Sequence, residues 1–293
     1  MNLILTVFQI VAPVFLLAGA GFAWVKLGFE YRIQFVTRLA MSLAMPCLIF
    51  TSLMQTEIAP GALSVVALAA TIGYALITLA MFVLVRLARL DIRSYMAPLI
   101  FGNTGNLGLP LALFAFGDQG LGYALAIFAI SGFLGFTFGV WLVSGDGSLR
   151  NVAREPLIGA TLLGALFLWQ GWETPAFLTR TLELVGQMAI PLMLLTLGVA
   201  VARLQPGRLG RAAWLALTRA AICIGVATIV GLWFRLDPVA FGVLVLQLST
   251  PVAVTSYLLA EKYGVDSDAV AGLVVVSTLL ALVILPLTLG FLI

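Results

Sequence analysis

An all-α membrane protein of ten transmembrane helices, arranged as two inverted five-helix repeats, is the fold class the sequence predicts. Three observations carry it. Of 293 residues, 62% are hydrophobic and 9% charged, where soluble domains carry about 25% charged residues; mean hydropathy is +1.17. Apolar stretches of about 20 residues, enough to span a bilayer, follow one another with short connections. Prolines recur in order across the two halves of the chain.

The first stretch, roughly residues 3 to 24, has no basic residue before its apolar run and no clear small-residue cleavage site. It predicts a first span and no signal peptide. The others lie near 33–54, 62–85, 95–116, 121–143, 155–170, 181–202, 212–234, 239–260 and 269–292. What remains is too short for a soluble domain, and none of it is Ser/Pro-rich or a long charge run. Trp24, Trp141, Trp169, Trp172, Trp214 and Trp233 each fall within a few residues of a span end, as an aromatic belt requires.

Alternating sides of these spans receive very different charge. Lys26, Arg32, Arg38, Arg86, Arg89, Arg93, Arg150, Arg154, Arg203, Arg208, Arg211 and Lys262 fall on one side, and Arg180 and Arg235 on the other. Cytoplasmic loops carry the excess of Lys and Arg, so both termini are expected outside (N-out, C-out). Arg219, inside the eighth span, is expected to snorkel to the basic end. A pI near 9.1 is then a signature of topology and calls for no nucleic-acid partner; the surrounding partner is the lipid bilayer.

Pro13 pairs with Pro156, Pro46 with Pro191, Pro60 with Pro206, Pro98 with Pro238 and Pro110 with Pro251, at offsets between 140 and 146; Pro175 and Pro286 are left over. "FVTRLAMSLAMPCLIFTSL" also resembles "FLTRTLELVGQMAIPLMLLTLGV". Residues 1–146 and 147–293 read as two repeats of five spans each. Five is odd, so the second copy enters the membrane from the opposite side.

The fourth span contains "FGNTGNLGLP", residues 101–110, and the ninth contains "LQLSTPVAVTSYLLA". A proline inside a helix removes one backbone bond and clashes with the preceding turn; the glycines weaken the fourth span further. Both helices are expected to break, and broken backbone at membrane depth is tolerated only where protein or a water-filled cavity satisfies it. Interrupted helices at corresponding places in two halves point to a transport site.

Each proline is expected to start a half-helix as its first residue, with Ser249 and Thr250 capping the one at Pro251, and Gly108 and Leu109 leaving the one at Pro110 poorly capped. Two helix N-termini at one cavity favour an anion. Asn103, Thr104, Asn106, Gln247, Ser249, Thr250, Thr255 and Ser256 supply neutral polar groups, and neither broken segment contains Asp or Glu. A carboxylate of modest size is the expected guest. Gln55, Gln187 and Gln247 read chiefly as hydrogen bonds between helices, Cys47 and Cys223 as small buried hydrophobes, and Tyr257 as packing. Glu183 is a candidate for a coupling proton, with an interfacial carboxylate as the alternative; Gln247 and Thr255 are further coupling candidates.

"FGNTGNLGLPL" and "STPVAVTSYLLAEKYG" resemble the two signature segments of the auxin efflux carrier family, which includes bacterial proteins named as malate and malonate permeases and the plant PIN auxin exporters. The resemblance covers essentially the whole chain. It implies a scaffold domain and a transport domain, helices 4 and 9 crossing at their broken midpoints, and an elevator-like movement. It places the substrate carboxylate at Asn103, Thr104, Gly105, Asn106, Pro110, Ser249, Thr250 and Pro251. The long cytoplasmic loop of the longer PIN proteins is missing, and nothing favours an indole over a small dicarboxylate.

Sodium-coupled symport of the bile-acid type is the alternative, since hydroxyls and carbonyls around a break can hold sodium. A cation/proton antiporter should keep a carboxylate in its central helices, and the fifth span has none. The chain has no His, the commonest general base and metal ligand, so a membrane enzyme is disfavoured. There is no P-loop. The sequence thus predicts a secondary carrier of small organic anions in the inner (plasma) membrane, with no cofactor, H+ or Na+ as coupling ion, and a homodimer by family resemblance.

Overall fold

A computed structural model describes residues 3–145, 156–204 and 209–292. The repeat boundary at 146/147, residue 155 of the sixth span, Arg150, Arg154, Pro206 and Arg208 lie outside the described residues.

The described residues are helical almost throughout, because a backbone in lipid must satisfy its own N–H and C=O groups. We label the helices α1 (Leu3–Lys26), α2 (Ile33–Met54), α3 (Pro60–Leu87), α4 (Ile92–Ile100), α5 (Thr104–Ser144), α6 (Pro156–Gln170), α7 (Ala176–Arg203), α8 (Leu209–Trp233), α9 (Pro238–Ser249), α10 (Val254–Lys262) and α11 (Ser267–Leu292). Seven of them (α1, α2, α3, α5, α7, α8 and α11) are long and apolar enough to cross a membrane. α5 is bent at Gly117, whose φ of 64° and ψ of −156° suit a residue without a Cβ. The bend separates residues 104–116 from 118–144.

α1 packs chiefly on α7, and α2 on α6 and α7. α3, α4, α5, α8, α9, α10 and α11 pack among themselves. Small residues set the closest approach in the first group: a Cβ on Gly198 would overlap the carbonyl of Ala18, and one on Gly21 that of Leu195. Glycine therefore lets α1 and α7 meet backbone to backbone, the small-residue packing of membrane helices.

Polar contacts sort the connections into two ends. At one end Arg203 Nη2 donates to the Tyr31 carbonyl at 2.6 Å, Arg93 Nε to the Val143 carbonyl at 2.9 Å, and the Asp266 N–H to Ser94 Oγ at 3.2 Å. At the other, Gln55 Nε2 donates to Glu183 Oε1 at 2.7 Å and Tyr123 OH to Asp237 Oδ2 at 3.0 Å. The helices that lead into the two breaks are capped alike. Asp91 accepts from the Ser94 N–H at 2.8 Å at the start of α4, and Asp237 from the Val239 and Ala240 N–H groups at 3.1 and 3.0 Å at the start of α9, the usual role of an Asp at this position.

Candidate functional site

The two interruptions meet. Gly102 and Val252 form an isolated antiparallel bridge, in which the Asn103 N–H donates to the Pro251 carbonyl at 2.7 Å and the Ala253 N–H to the Phe101 carbonyl at 3.4 Å. Each break thus satisfies backbone groups of the other, which is how non-helical backbone survives at this depth. Gly102 permits the contact: a Cβ there would overlap Thr250 Oγ1.

The half-helices begin elsewhere than the prolines predict. The one leaving the first break starts at Thr104, in a wide π-turn over Thr104–Gly108, with Asn103 as its cap: Asn103 Oδ1 accepts the Asn106 N–H at 3.2 Å. Pro110 lies buried six residues further on, in the first α-helical turn after the π-turn, where a proline is tolerated. The one leaving the second break starts at Val254, three residues past Pro251. Ser249 and Thr250 are not its caps. They end α9, where Ser249 Oγ donates to the Leu246 carbonyl at 3.1 Å and Thr250 Oγ1 to the Gln247 carbonyl at 2.7 Å. Pro110 and Pro251 therefore do not occupy matching places, and Pro98, inside α4, does not match Pro238, at the first residue of α9; the bridge pairs residues 101–103 with 251–253.

Beside the crossing lies a cavity of about 340 Å³, within the range of about 300–1,000 Å³ that holds small ligands. It reaches toward the end that carries Tyr31 and Arg203, and both packing groups line it. Asn103, Thr104, Gly105 and Asn106 form its wall at the first break, Ser131 and Phe128 come from α5, Thr37 and Met41 from α2, Met193 and Thr196 from α7, and Thr255 and Ser256 from α10. Among the described residues, no ionisable side chain lines it. Among the described residues three π-turns, Ala40–Ala44, Thr104–Gly108 and Gly135–Gly139, contribute to the wall; such wide turns gather at functional sites.

Asn103 is 5% exposed, and its Nδ2 has no hydrogen-bond partner. An unmet buried donor costs about 1–3 kcal/mol, and an orphan donor in a cavity wall calls for an acceptor. The first N–H groups of the helices starting at Thr104 and Val254 add to it, since a helix start leaves them without intrahelical acceptors and carries partial positive charge. Thr104 Oγ1 reaches Ser131 Oγ at 3.4 Å. Thr196 Oγ1 bonds Tyr31 OH at 2.8 Å, and burial pushes that phenol above its ordinary pKa against the opposing pull of the Thr196 bond.

Among the sequence-derived residues, Asn103, Thr104, Gly105, Asn106 and Thr255 share this cavity, while Pro110, Ser249, Thr250 and Pro251 support the crossing from outside it. Gln247 is fully buried with its Nε2 3.5 Å from the Ala124 carbonyl, and its amide fills the space that Gly108 leaves open. Glu183 lies on α7 away from the cavity, bonded to Gln55.

Arg219 is the residue the sequence reading misplaced. It does not snorkel: it is 2% exposed, and it donates from Nε to the Leu99 carbonyl at 2.9 Å and from Nη1 to the Thr250 carbonyl at 2.6 Å. One cation therefore holds the chain just before the first break and the chain within the second. The signal was its depth. Arg219 stands ten residues inside α8, about 15 Å of rise, beyond the reach of a side chain to the interface.

Interrupted membrane helices that meet beside a largely apolar, uncharged cavity with a few polar groups at the breaks define a class, the membrane transporters built around a break at mid-depth. The chain belongs to the family described as membrane transport protein, the auxin efflux carrier family, which it matches over residues 6–148 and 140–289. It is 25% identical over 197 residues to a protein of Rhizobium meliloti (strain 1021) named "Putative malonate transporter", covering 62% of this chain and 61% of that one. It is 31% identical over 194 residues to an uncharacterized transporter of Methanothermobacter thermautotrophicus, covering 63% of each. An uncharacterized transporter of Methanocaldococcus jannaschii is 25% identical over 202 residues, 64% of each. The matches thus span 61 to 64% of these relatives' lengths. Family and relatives are named as membrane transporters, not enzymes, and the chain is a multi-pass membrane protein.

Proposed function

We propose that this protein is a secondary carrier of small organic anions, held at the crossed breaks by their carboxylate groups and moved by an elevator-type displacement. The observation that carries the reading is Asn103: a buried, unpartnered amide donor beside two helix N-termini, in a cavity without a charged side chain. Such a site meets a carboxylate with donors and positive dipole ends and offers nothing to repel it.

Ten membrane crossings follow if α4 joins residues 104–116, residues 118–144 form the fifth, and α9 joins α10. Two inverted repeats are supported by the antiparallel bridge of 101–103 with 251–253 and by the matching Asp caps of α4 and α9. The group of α1, α2, α6 and α7 is the scaffold and the remaining helices the moving part, because the cavity lies where the two groups meet. The basic loops put the Tyr31 and Arg203 end in the cytoplasm, so the cavity faces inward in an inner membrane, N-out and C-out, with a homodimer as the working assembly.

H+ and Na+ remain the coupling ions to test. The Leu99 and Thr250 carbonyls, which could otherwise hold sodium, are taken by Arg219. A ligand that binds only the folded state raises its apparent stability by mass action, so the test is thermal unfolding with malonate, malate, succinate, indole-acetate and taurocholate, with and without sodium, at two pH values. Stabilisation by a dicarboxylate in the absence of sodium is expected. Stabilisation only with sodium would assign the bile-acid type of symport. Neutral solutes stabilising the protein while every carboxylate fails would refute an anion site.

A further inference from the structure

Resting on the anion-carrier reading, we propose that Arg219 is the resident counter-charge of the site, a positioning residue that attracts the carried anion through the wall at Gly102 without touching it.

A buried guanidinium is costly unless other groups meet its charge. Among the described residues no carboxylate pairs with Arg219. The Leu99 and Thr250 carbonyls engage Nε and Nη1, but Nη2 is buried without a partner. Carbonyl dipoles alone therefore leave the cation partly uncompensated.

Gly102 stands between this nitrogen and the cavity. It lines the cavity on one side, and a Cβ on it would come within 2.9 Å of Arg219 Nη2 on the other. Gly102 itself puts no side chain between the guanidinium and the cavity. In a poorly screened interior a charge acts across such a distance, and Arg, charged at any working pH, supplies it permanently. The same side chain ties Leu99 to Thr250, so the charge keeps a fixed distance from both helix starts.

The test compares charge with clamp. Folded Arg219→Met, Arg219→Lys and Arg219→Ala proteins are titrated with malonate and with succinate, following thermal stabilisation. Arg219→Met is expected to weaken binding by about tenfold or more, and Arg219→Lys, which keeps the charge but cannot span both carbonyls, by about threefold or less. Millimolar guanidinium is expected to restore binding to Arg219→Ala but not to change the wild type. Equal losses in the Met and Lys variants with no guanidinium rescue would reduce Arg219 to a structural clamp and overturn the proposal, as would a Met variant that binds like the wild type. Should the Met and Ala variants not fold, a folded Lys variant that loses more than about tenfold would also overturn it. A wild type that binds neither acid refutes the anion reading itself, an outcome distinct from all of these.

Discussion

Asn103→Asp is expected to raise the thermal stability of the ligand-free protein and to abolish its stabilisation by small carboxylates. The Asp side chain has the same shape and keeps an oxygen for the Asn106 N–H, so the cap that starts the helix at Thr104 is retained. It replaces the orphan Nδ2 with a second oxygen at the cavity wall, beside the helix start at Thr104. A site that wants an anion then holds one tethered, which favours the folded state by about 0.3–1 kcal/mol or more per favourable helix end. A carried carboxylate meets a like charge at contact distance and binds at least about 100-fold more weakly, since like charges about 4 Å apart cost about 4 kcal/mol at an effective dielectric of about 20. The pH sign follows: the helix N-termini that stabilise the anion hold the carboxyl below its ordinary pKa, so it stays charged between pH 8 and pH 5 and binding does not return across that range. Thermal unfolding of the variant at pH 8 and pH 5, with and without malonate, measures all of this. Undiminished malonate stabilisation at pH 8 would remove Asn103 from the site.

Gly102→Ala is expected to produce the largest loss of order at the crossing. Its methyl group would overlap Thr250 Oγ1 and stand 2.9 Å from both Arg219 Nη2 and the Thr250 carbonyl. The guanidinium can yield, but the carbonyl is backbone and the segment around it is paired with residues 101–103. Overpacking of this kind costs about 1–3 kcal/mol, and here it also pries apart the bonds that satisfy both breaks. Faster hydrogen exchange at the Asn103 and Ala253 amides, with the helices elsewhere as protected as in the wild type, is the expected signature. Equal protection of those two amides in the variant would show that the bridge tolerates a side chain and that Gly102 serves another purpose.

The breaks themselves were legible because glycine, asparagine and proline cluster inside one apolar run and Ser249, Thr250 and Pro251 interrupt the other. Their internal register was not. Pro251 and Pro110 look alike in sequence, yet one lies in the break and the other six residues past the helix start at Thr104; which place a proline takes can be told only when the neighbouring helix start is known. Asn103 stands out in the sequence as a site residue, but its second function as a cap does not, although the local Asn-x-x-Asn spacing permits the bond from residue 106 to residue 103 that forms. The paired caps Asp91 and Asp237 likewise pass as loop residues. Arg219 was misplaced because a basic residue near a basic end normally orients a span; its depth in α8 argues against that, while its partners, 120 and 31 positions away in the chain, are not revealed by one sequence. The cavity-lining Ser131, Thr37 and Thr196 carry no signal at all, since lone hydroxyls in membrane helices usually bond their own backbone, as Thr196 also does to Leu192.

Carboxylates are expected to cross the membrane at the meeting point of the two breaks. Uptake of radiolabelled malonate by vesicles reconstituted with the purified protein, in parallel with vesicles carrying Asn103→Asp, tests it most directly. Label accumulating with the wild type, driven faster by an interior-positive potential and absent at pH 8 with the variant, is the predicted result. Uptake that proceeds equally in both, or a wild type that carries neutral solutes and cations but no carboxylate, would contradict it.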